Sequence, residues 1–312
     1  MNLNLRKFTK FVDKTFIEGG KEAKEPVLLV SVAAVIKNPW SGKGFVEDLK
    51  PTILDLAPKL GDLLVPELIK EIGSPEKILA YGKAGVVGLD AITGQVRWSA
   101  TKDPANYASP ILTKFGGKAS ALFFTRQGLV CLNPKTGEIF FKHHWRPDGE
   151  HTVNASTPII MNNLIFVSAS YGKGATVVEV NDGKLKTLWA NNISMSCQYA
   201  SCVIQNGYLY GFHGRQERGP ELRCVSLVNG SVRWTTGRIS AGNLLLADGK
   251  LLVLTEDGEF ILAAASPRNF KALHRQQLLG LETRAHFALS DGRLFARDKR
   301  LLVCLNLKRG TP

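Results

Sequence analysis

From Tyr81 onward, short apolar runs alternate with turn residues, whereas the preceding residues place apolar side chains at helical spacing. One unit is a strand, a turn and a strand ending in an aromatic residue; it starts at Gly88, recurs from Cys131 and Cys224, and has a degenerate copy from Val180. A second unit joins two short strands by a tight Asn or Asp turn, at residues 157–166, 201–210, 246–253 and 289–295. Together the units give four strands in about 40 to 48 residues, the period of a propeller blade. The pattern predicts a mainly β fold, a β-propeller of about five four-stranded blades.

The first part of the chain follows a different pattern. Residues 27–36 form a near-continuous apolar run, typical of a strand that is covered on both faces. Residues 46–72 then place apolar side chains at helical spacing, interrupted by Pro58 and Pro66. We therefore expect two domains: a small, partial α/β domain over residues 1–88 and the propeller over residues 89–312.

The repeat phrases carry a family resemblance. The Leu-Asp-x-x-Thr-Gly-x-x-x-Trp unit that ends at Trp98, Ala-Ser-Pro-Ile-Leu at 108–112 and Leu-Thr-Glu-Asp-Gly-Glu-Phe at 254–260 resemble the repeats of the pyrroloquinoline-quinone-like (PQQ-like, quinoprotein-like) propellers. That group includes outer-membrane assembly propellers, and the resemblance spans about residues 82–308. It implies an incomplete β-propeller, because members of that group usually close more blades than this chain shows, and it leaves the function open, because one fold hosts many functions.

Residues 1–88 resemble the amino-acid synthesis family, through the phrases at residues 17–21, 32–40 and 81–84. The second half of that family is absent from the chain, so we expect a natural fusion or a misassembled reading frame, with the junction at residues 87–90. The polar side chains that follow the predicted buried strand are candidate functional groups or an ordinary polar turn; they are Lys37, Asn38, Trp40 and Glu47.

Charge and cysteine usage narrow the function classes. The chain carries 40 Lys and Arg against 27 Asp and Glu, a formal net charge of +13, but the basic residues are spread without a block. We therefore expect a solvated basic surface and no nucleic-acid partner.

The five cysteines lack metal-ligand spacing. Cys131, Cys224 and Cys304 occupy matching strand positions that suit a small buried hydrophobe, whereas Cys197 and Cys202 could pair or stay free thiols.

The N-terminus, residues 1–10, is polar and basic and lacks the apolar region of a signal peptide. The longest apolar stretch, residues 26–36, is far shorter than the roughly 20 residues that cross a bilayer. We therefore expect no transmembrane segment and a cytoplasmic location for the chain as written, although propeller relatives are often periplasmic or exported.

Catalytic chemistry is not indicated by the motifs. A quinoprotein dehydrogenase would need calcium held by carboxylate and amide oxygens and an Asp as general base, and no such cluster is evident, so we expect no catalytic residues, no PQQ and no calcium. His143 and His144 follow a predicted strand without a third ligand and are interpreted as loop residues rather than metal ligands. Trp98, Trp189 and Trp234 are expected to pack adjacent blades.

Propellers bind ligands where the loops that lead into the innermost strand meet the loops between the second and third strands. On that geometry we expect six side chains near the channel mouth, with ordinary surface loops as the alternative; they are Arg126, Asn154, Tyr171, Tyr199, His213 and Arg215. The sequence thus favours a non-catalytic binding or scaffold propeller with a protein or saccharide partner. The alternatives are a PQQ-dependent oxidoreductase, implied by resemblance alone, and an amino-acid metabolism protein acting through residues 1–88.

Overall fold

The structure, a computed structural model, describes residues 27–30, 85–90, 95–104 and 106–307. The chain divides into two compact units, Met1–Ala105 with Leu132–Ile139, and Asn106–Cys131 with Phe140–Pro312. The predicted helices at 46–72 and the candidates Lys37, Asn38, Trp40 and Glu47 lie outside the described residues. The proposed boundary at residues 88 and 89 stays a prediction.

The first unit contains one antiparallel sheet of three strands: β1 (Val27–Val30), β2 (Val86–Asp90) and β3 (Val96–Ala100). The side chain of Trp98 on β3 packs over two glycines of the same unit. A Cβ atom on Gly88 would come within 2.2 Å of the Trp98 ring, and one on Gly137 within 2.6 Å. Only glycine leaves room for the indole at both places, which confirms the packing role predicted for Trp98.

The remaining strands form successive antiparallel sheets, which we number in chain order after the sheet of the first unit. Sheet 2 contains β4 (Ile111–Phe115), β5 (Lys118–Thr125), β6 (Gly128–Leu132) and β7 (Ile139–His144). Sheet 3 contains β8 (Ile159–Met161), β9 (Leu164–Ala169), β10 (Gly174–Asn181) and β11 (Lys184–Asn191). Sheet 4 contains β12 (Val203–Gln205), β13 (Tyr208–His213), β14 (Glu221–Ser226) and β15 (Val232–Arg238). Sheet 5 contains β16 (Gly242–Ala247), β17 (Lys250–Thr255), β18 (Glu259–Ala264) and β19 (Ala272–Gln277), and sheet 6 contains β20 (Ala288–Ser290), β21 (Arg293–Arg297) and β22 (Leu302–Asn306).

Sheets 2 to 6 are chain-order meanders, and their first hairpins are set by residues that tolerate a left-handed backbone. Asn206 and Gly207 have φ of 49° and 78°, and Asp248 and Gly249 have φ of 46° and 68°. Two central residues with positive φ give the turn whose twist matches paired strands. The hairpins predicted from the Asn-Gly and Asp-Gly pairs are therefore confirmed.

The apolar faces of neighbouring sheets in the second unit pack on each other in four buried clusters. One cluster joins Phe124 and Leu129 of sheet 2 to Val167 of sheet 3, and the next joins Phe166 of sheet 3 to Leu209 of sheet 4. Two further clusters join sheets 4 and 5 and sheets 5 and 6 in the same way. This repeated face-to-face burial is the arrangement that the blade prediction required.

The tryptophans at the ends of outer strands fix these contacts. Trp189 of β11 donates its Nε1–H to the carbonyl of Leu227 at 2.7 Å, and its ring lies against Gly230 in the following sheet. Trp234 of β15 donates in the same way to Ser266 in sheet 5, also at 2.7 Å. Both indoles reach across to the next sheet, which confirms the packing role predicted for them.

Two predictions are wrong: the burial of Cys304, and the placement of His143 and His144 in a loop. Cys131 and Cys224 are buried as expected, but Cys304 is exposed, because β22 pairs with β21 alone among the described strands and has no outer strand beside it. His143 and His144 lie within β7 rather than in a loop, since the strand continues to His144.

We predict that Gly230→Ala destabilises the protein more than Gly183→Ala. Both glycines have a left-handed backbone, with φ of 70° and 75°, so both variants carry strain of about 1–3 kcal/mol. A Cβ at Gly183 meets nothing within 4 Å, whereas one at Gly230 comes 2.9 Å from the Trp189 ring, which adds about 1–3 kcal/mol of overpacking. Urea denaturation of both variants measures the difference. Equal losses would show that the Trp189 contact does not constrain this turn.

We also predict that one of the five thiols reacts in the folded chain. Cys304 is exposed and the other four cysteines are buried, and buried thiols are inert towards aqueous reagents. A chromogenic thiol reagent should therefore modify Cys304 rapidly and the remaining thiols only after unfolding. Cys304→Ser serves as the control and should abolish the rapid phase.

Candidate functional site

Loops at one end of sheets 3 and 4 form a cleft in the second unit. In a meander, the turn between the second and third strands lies at the same end as the connection that enters the next sheet. The turn β9–β10, the loop β13–β14 and the connections β7–β8 and β11–β12 therefore meet. The cleft has a volume of about 660 Å³. It is lined by Asp148, Thr152, Ser170, Tyr171, Gly172, Asn192, Ser196, His213, Gly214, Arg215, Arg218, Gly219, Glu221, Arg223 and Arg238.

Three of the predicted side chains line this cleft together. Tyr171 follows β9 in a left-handed conformation, with φ of 61°. The guanidinium of Arg215 lies over the Tyr171 ring, 5.0 Å from its centroid, at a distance suited to a cation–π interaction. Arg215 also pairs with Glu217 at 3.1 Å. His213 ends β13 beside them, so side chains from two adjacent sheets converge here.

His213 is held uncharged at neutral pH. Its pKa is lowered from the ordinary 6.5 to about 4, mainly by burial and then by the positive charge of Arg223, while Glu221 opposes the shift. The Nδ1 atom of His213 is buried without a hydrogen-bond partner among the described residues. The positive charge of the cleft therefore comes from its arginines.

Only part of this charge is neutralised locally. Arg223 pairs with Glu221 at 2.9 Å. Hydrogen bonds from Thr235 and Arg223 lower the pKa of Glu221, so its carboxylate is firmly ionised. Within the residues that the structure describes, neither Arg218 nor Arg238 forms an ion pair. The cleft is therefore electropositive.

Two hydrogen bonds join the connection β11–β12 to the loop β13–β14. The carbonyl of Ser196 accepts the Gly214 N–H at 2.9 Å, and the Gln198 side-chain oxygen accepts the Gln216 N–H at 2.7 Å.

Within the connection β11–β12, the Sγ atoms of Cys197 and Cys202 lie 3.4 Å apart as two buried free thiols. A hydrogen bond from Cys202 lowers the pKa of Cys197, and the same contact raises the pKa of Cys202.

Tyr199 belongs to a neighbouring network rather than to the cleft lining. Its hydroxyl donates to Oε1 of Glu256, and burial, followed by the Glu256 contact, raises its pKa well above the usual value. The side-chain amide of Gln216 donates to the other oxygen of Glu256, and Arg284 Nε lies 3.5 Å from Oε1. Gln216 therefore connects this network to the loop that carries Arg215.

Arg126 and Asn154 lie at the same end of sheet 2 but do not line the cleft. Asn154 is fully buried, and its Nδ2 donates to the carbonyls of Thr125 and Trp145, both at 2.9 Å. Arg126 occupies the turn β5–β6, where its Nε is buried without a partner among the described residues. Asn154 holds two loops together here, and a binding role for either residue stays a prediction.

Across the described ranges, no group of three or more His, Cys, Asp and Glu side chains is placed to hold a metal ion. Calcium also takes amide and backbone oxygens as ligands, so the expectation that the chain holds no PQQ and no calcium stays a prediction. Within the same ranges, no helix is long and apolar enough to span a bilayer.

We predict that His213 makes stability fall as the pH is lowered from about 6.5 to about 4. In this window the unfolded chain binds a proton at this imidazole and the folded chain does not, so acid favours unfolding. Urea denaturation across the window should give a flatter pH dependence for His213→Gln than for the parent chain. The exposed His151 provides a control, since His151→Gln should keep the parent slope; equal slopes for all three chains would contradict the burial of a neutral His213.

Comparison with known proteins assigns the repeats. The family described as outer membrane protein assembly factor BamB matches residues 74–236, more than half of the chain. The amino acid synthesis family matches residues 5–126, so the two matches overlap. No curated protein matches the chain.

Many solved structures match the chain, and two illustrate the range of similarity. BamB from Moraxella catarrhalis has a TM-score of 0.53 at 13% identity, and the match covers 73% of this chain and 65% of that one. The computationally designed Ika8 protein has a TM-score of 0.43 at 12% identity, covering 72% and 78% of the two chains. This chain thus spans just under two thirds of the Moraxella protein. The repeats, the stacked four-stranded sheets and the match over residues 74–236 show that the chain belongs to the BamB family of PQQ-like repeat β-propellers.

Proposed function

We propose that this chain is a non-catalytic binding propeller that docks a protein partner at the loop-bearing end of sheets 3 and 4. The observation that carries the proposal is the convergence of Tyr171, His213 and Arg215 in one electropositive cleft. Arginine and tyrosine are the side chains that most often dominate binding energy at protein interfaces. The scaffold holds them at the edge of rigid sheets, where binding loops are normally carried.

The chemistry of the cleft suits recognition better than catalysis. A general base works best when its pKa lies near the working pH. The pKa of His213 is about 4, so its imidazole would abstract protons weakly at neutral pH. The nearby carboxylate of Glu221 is already engaged by Arg223 and Thr235.

A protein partner fits this cleft better than a saccharide. Sugar rings stack on open aromatic faces, and one of the two faces of Tyr171 is already covered by the Arg215 guanidinium, 5.0 Å from the ring centroid. The exposed Arg218 and Arg238 offer charge-assisted hydrogen bonds instead, which carboxylates and backbone carbonyls of a protein satisfy. The cytoplasmic location and an amino-acid metabolism role for residues 1–88 stay predictions.

Site-specific photocrosslinking tests this docking surface. A photoreactive phenylalanine analogue at Arg218, in the cleft, should crosslink a defined protein in the cell that makes the full chain. The same analogue at Lys184, which begins β11 at the opposite end of sheet 3, is the matched control and should not. Adding His213→Ala and Arg215→Ala should abolish the Arg218 crosslink, because both side chains line the contact.

Equal crosslinking from Arg218 and Lys184, or a crosslink that persists in the His213→Ala, Arg215→Ala chain, would overturn the docking assignment. A crosslink that is displaced by soluble saccharides would instead favour a sugar ligand and overturn the choice of a protein partner.

A further inference from the structure

A second, smaller hollow adjoins the cleft on the side of sheet 5. It has a volume of about 490 Å³, and it is lined by Trp234, Thr235, Thr236, Gly237, Arg238, Ile239, Arg268, Asn269, Phe270 and Arg275. Arg238 lines both this hollow and the cleft. The two depressions therefore share a wall at the end of β15.

Three exposed arginines follow these depressions and find no acidic partner among the described residues. Arg218 lines the cleft, Arg238 lies at the shared wall, and Arg268 lines the hollow. We call these three side chains the arginine track. Arg275, also in the hollow, differs because Glu259 binds it at 2.9 Å.

An acidic residue lies opposite Arg238, but it does not neutralise the charge of the Arg238 guanidinium. Glu221 is the strand partner of Arg238 across β14 and β15. Its Oε2 already accepts hydrogen bonds from Arg223 Nη2 at 2.9 Å and from Thr235 Oγ1 at 2.8 Å. The Arg238 guanidinium is therefore left open to an anion from outside.

The hollow also offers an apolar surface beside the charge. The rings of Trp234 and Phe270 lie 5.4 Å apart, and Ile239 lines the same hollow. The hydrogen bond from Trp234 Nε1 to Ser266 fixes the indole in place. Apolar side chains of a ligand could bury here at no cost in reorganisation.

We propose that the cleft and the hollow together bind an extended acidic peptide segment that carries apolar side chains between its carboxylates. This inference rests on the proposed function and names the chemistry of the docked segment. Carboxylates match the arginine fork in geometry, and successive side chains of an extended peptide alternate in direction. The alternation presents carboxylates to the arginine track and apolar side chains to Trp234 and Phe270. A polyphosphate or nucleic-acid backbone would satisfy the arginines but leave this apolar surface exposed to water.

Fluorescence anisotropy on the full chain tests the proposal with labelled synthetic peptides. A peptide alternating Glu and Phe should bind, its Gln and Phe counterpart should not, and a Glu and Ser counterpart should bind more weakly. Arg218→Ala, Arg238→Ala and Arg268→Ala should each weaken binding of the first peptide by about two- to fivefold, the range of exposed ion pairs. Arg233→Ala is the matched control, because Arg233 is an exposed arginine on β15 that lines neither depression.

Equal binding of the Glu and Gln peptides, or an equal effect of Arg233→Ala, would overturn the arginine track. Tighter binding of inorganic polyphosphate than of the Glu and Phe peptide would assign the surface to a polyanion instead and overturn the peptide. The crosslinking experiment at Arg218 distinguishes failure of the acidic-peptide proposal from failure of the proposed function. A crosslinked protein together with no acidic-peptide binding would refute the ligand chemistry alone.

Discussion

Burial of sheet faces against neighbouring sheets is the constraint on which the second unit depends. A four-stranded sheet has two apolar faces, and a single sheet can cover neither of them. Phe166 is fully buried only because sheet 4 lies against sheet 3, and Trp189 donates its indole N–H to a carbonyl of that next sheet. Within the second unit, sheets 2 to 5 are each completed by the sheet that follows, because the facing apolar side chains bury one another.

That constraint leaves the loops to supply chemistry. Strand interiors are committed to packing, whereas Tyr171, His213 and Arg215 stand where strands end and backbone conformations vary. The hydrogen bond between Ser196 and Gly214 fixes the position of the loop β13–β14 relative to the connection β11–β12. The geometry of the cleft is therefore a consequence of sheet packing, while its charge is a consequence of loop sequence.

Most of the fold could be predicted because its signals are local. The pair Asn206 and Gly207 specifies a hairpin by backbone conformation alone, and the Trp189 position repeats with the blade. The arginine track was missed because Arg218, Arg238 and Arg268 come from three separate segments and meet only after the sheets stack. The one local signal was the dense run of charges at residues 215–223, of which the prediction used Arg215 alone. The exposure of Cys304 was missed for a similar reason, because the sequence of a strand does not show whether another strand will pair beside it.

Gln216 has a mechanical consequence for the loop that bears the cleft. Its backbone N–H is bound by Gln198 in the preceding connection, and its side-chain amide is bound by Glu256 in the turn β17–β18. The loop cannot swing towards an arriving molecule without giving up bonds to both neighbours. A molecule that fits the arrangement as it stands loses little conformational entropy from the protein on association. Under the docking proposal, discrimination at this surface would be set by the shape that exists beforehand, and a poorly matched molecule would be rejected rather than accommodated.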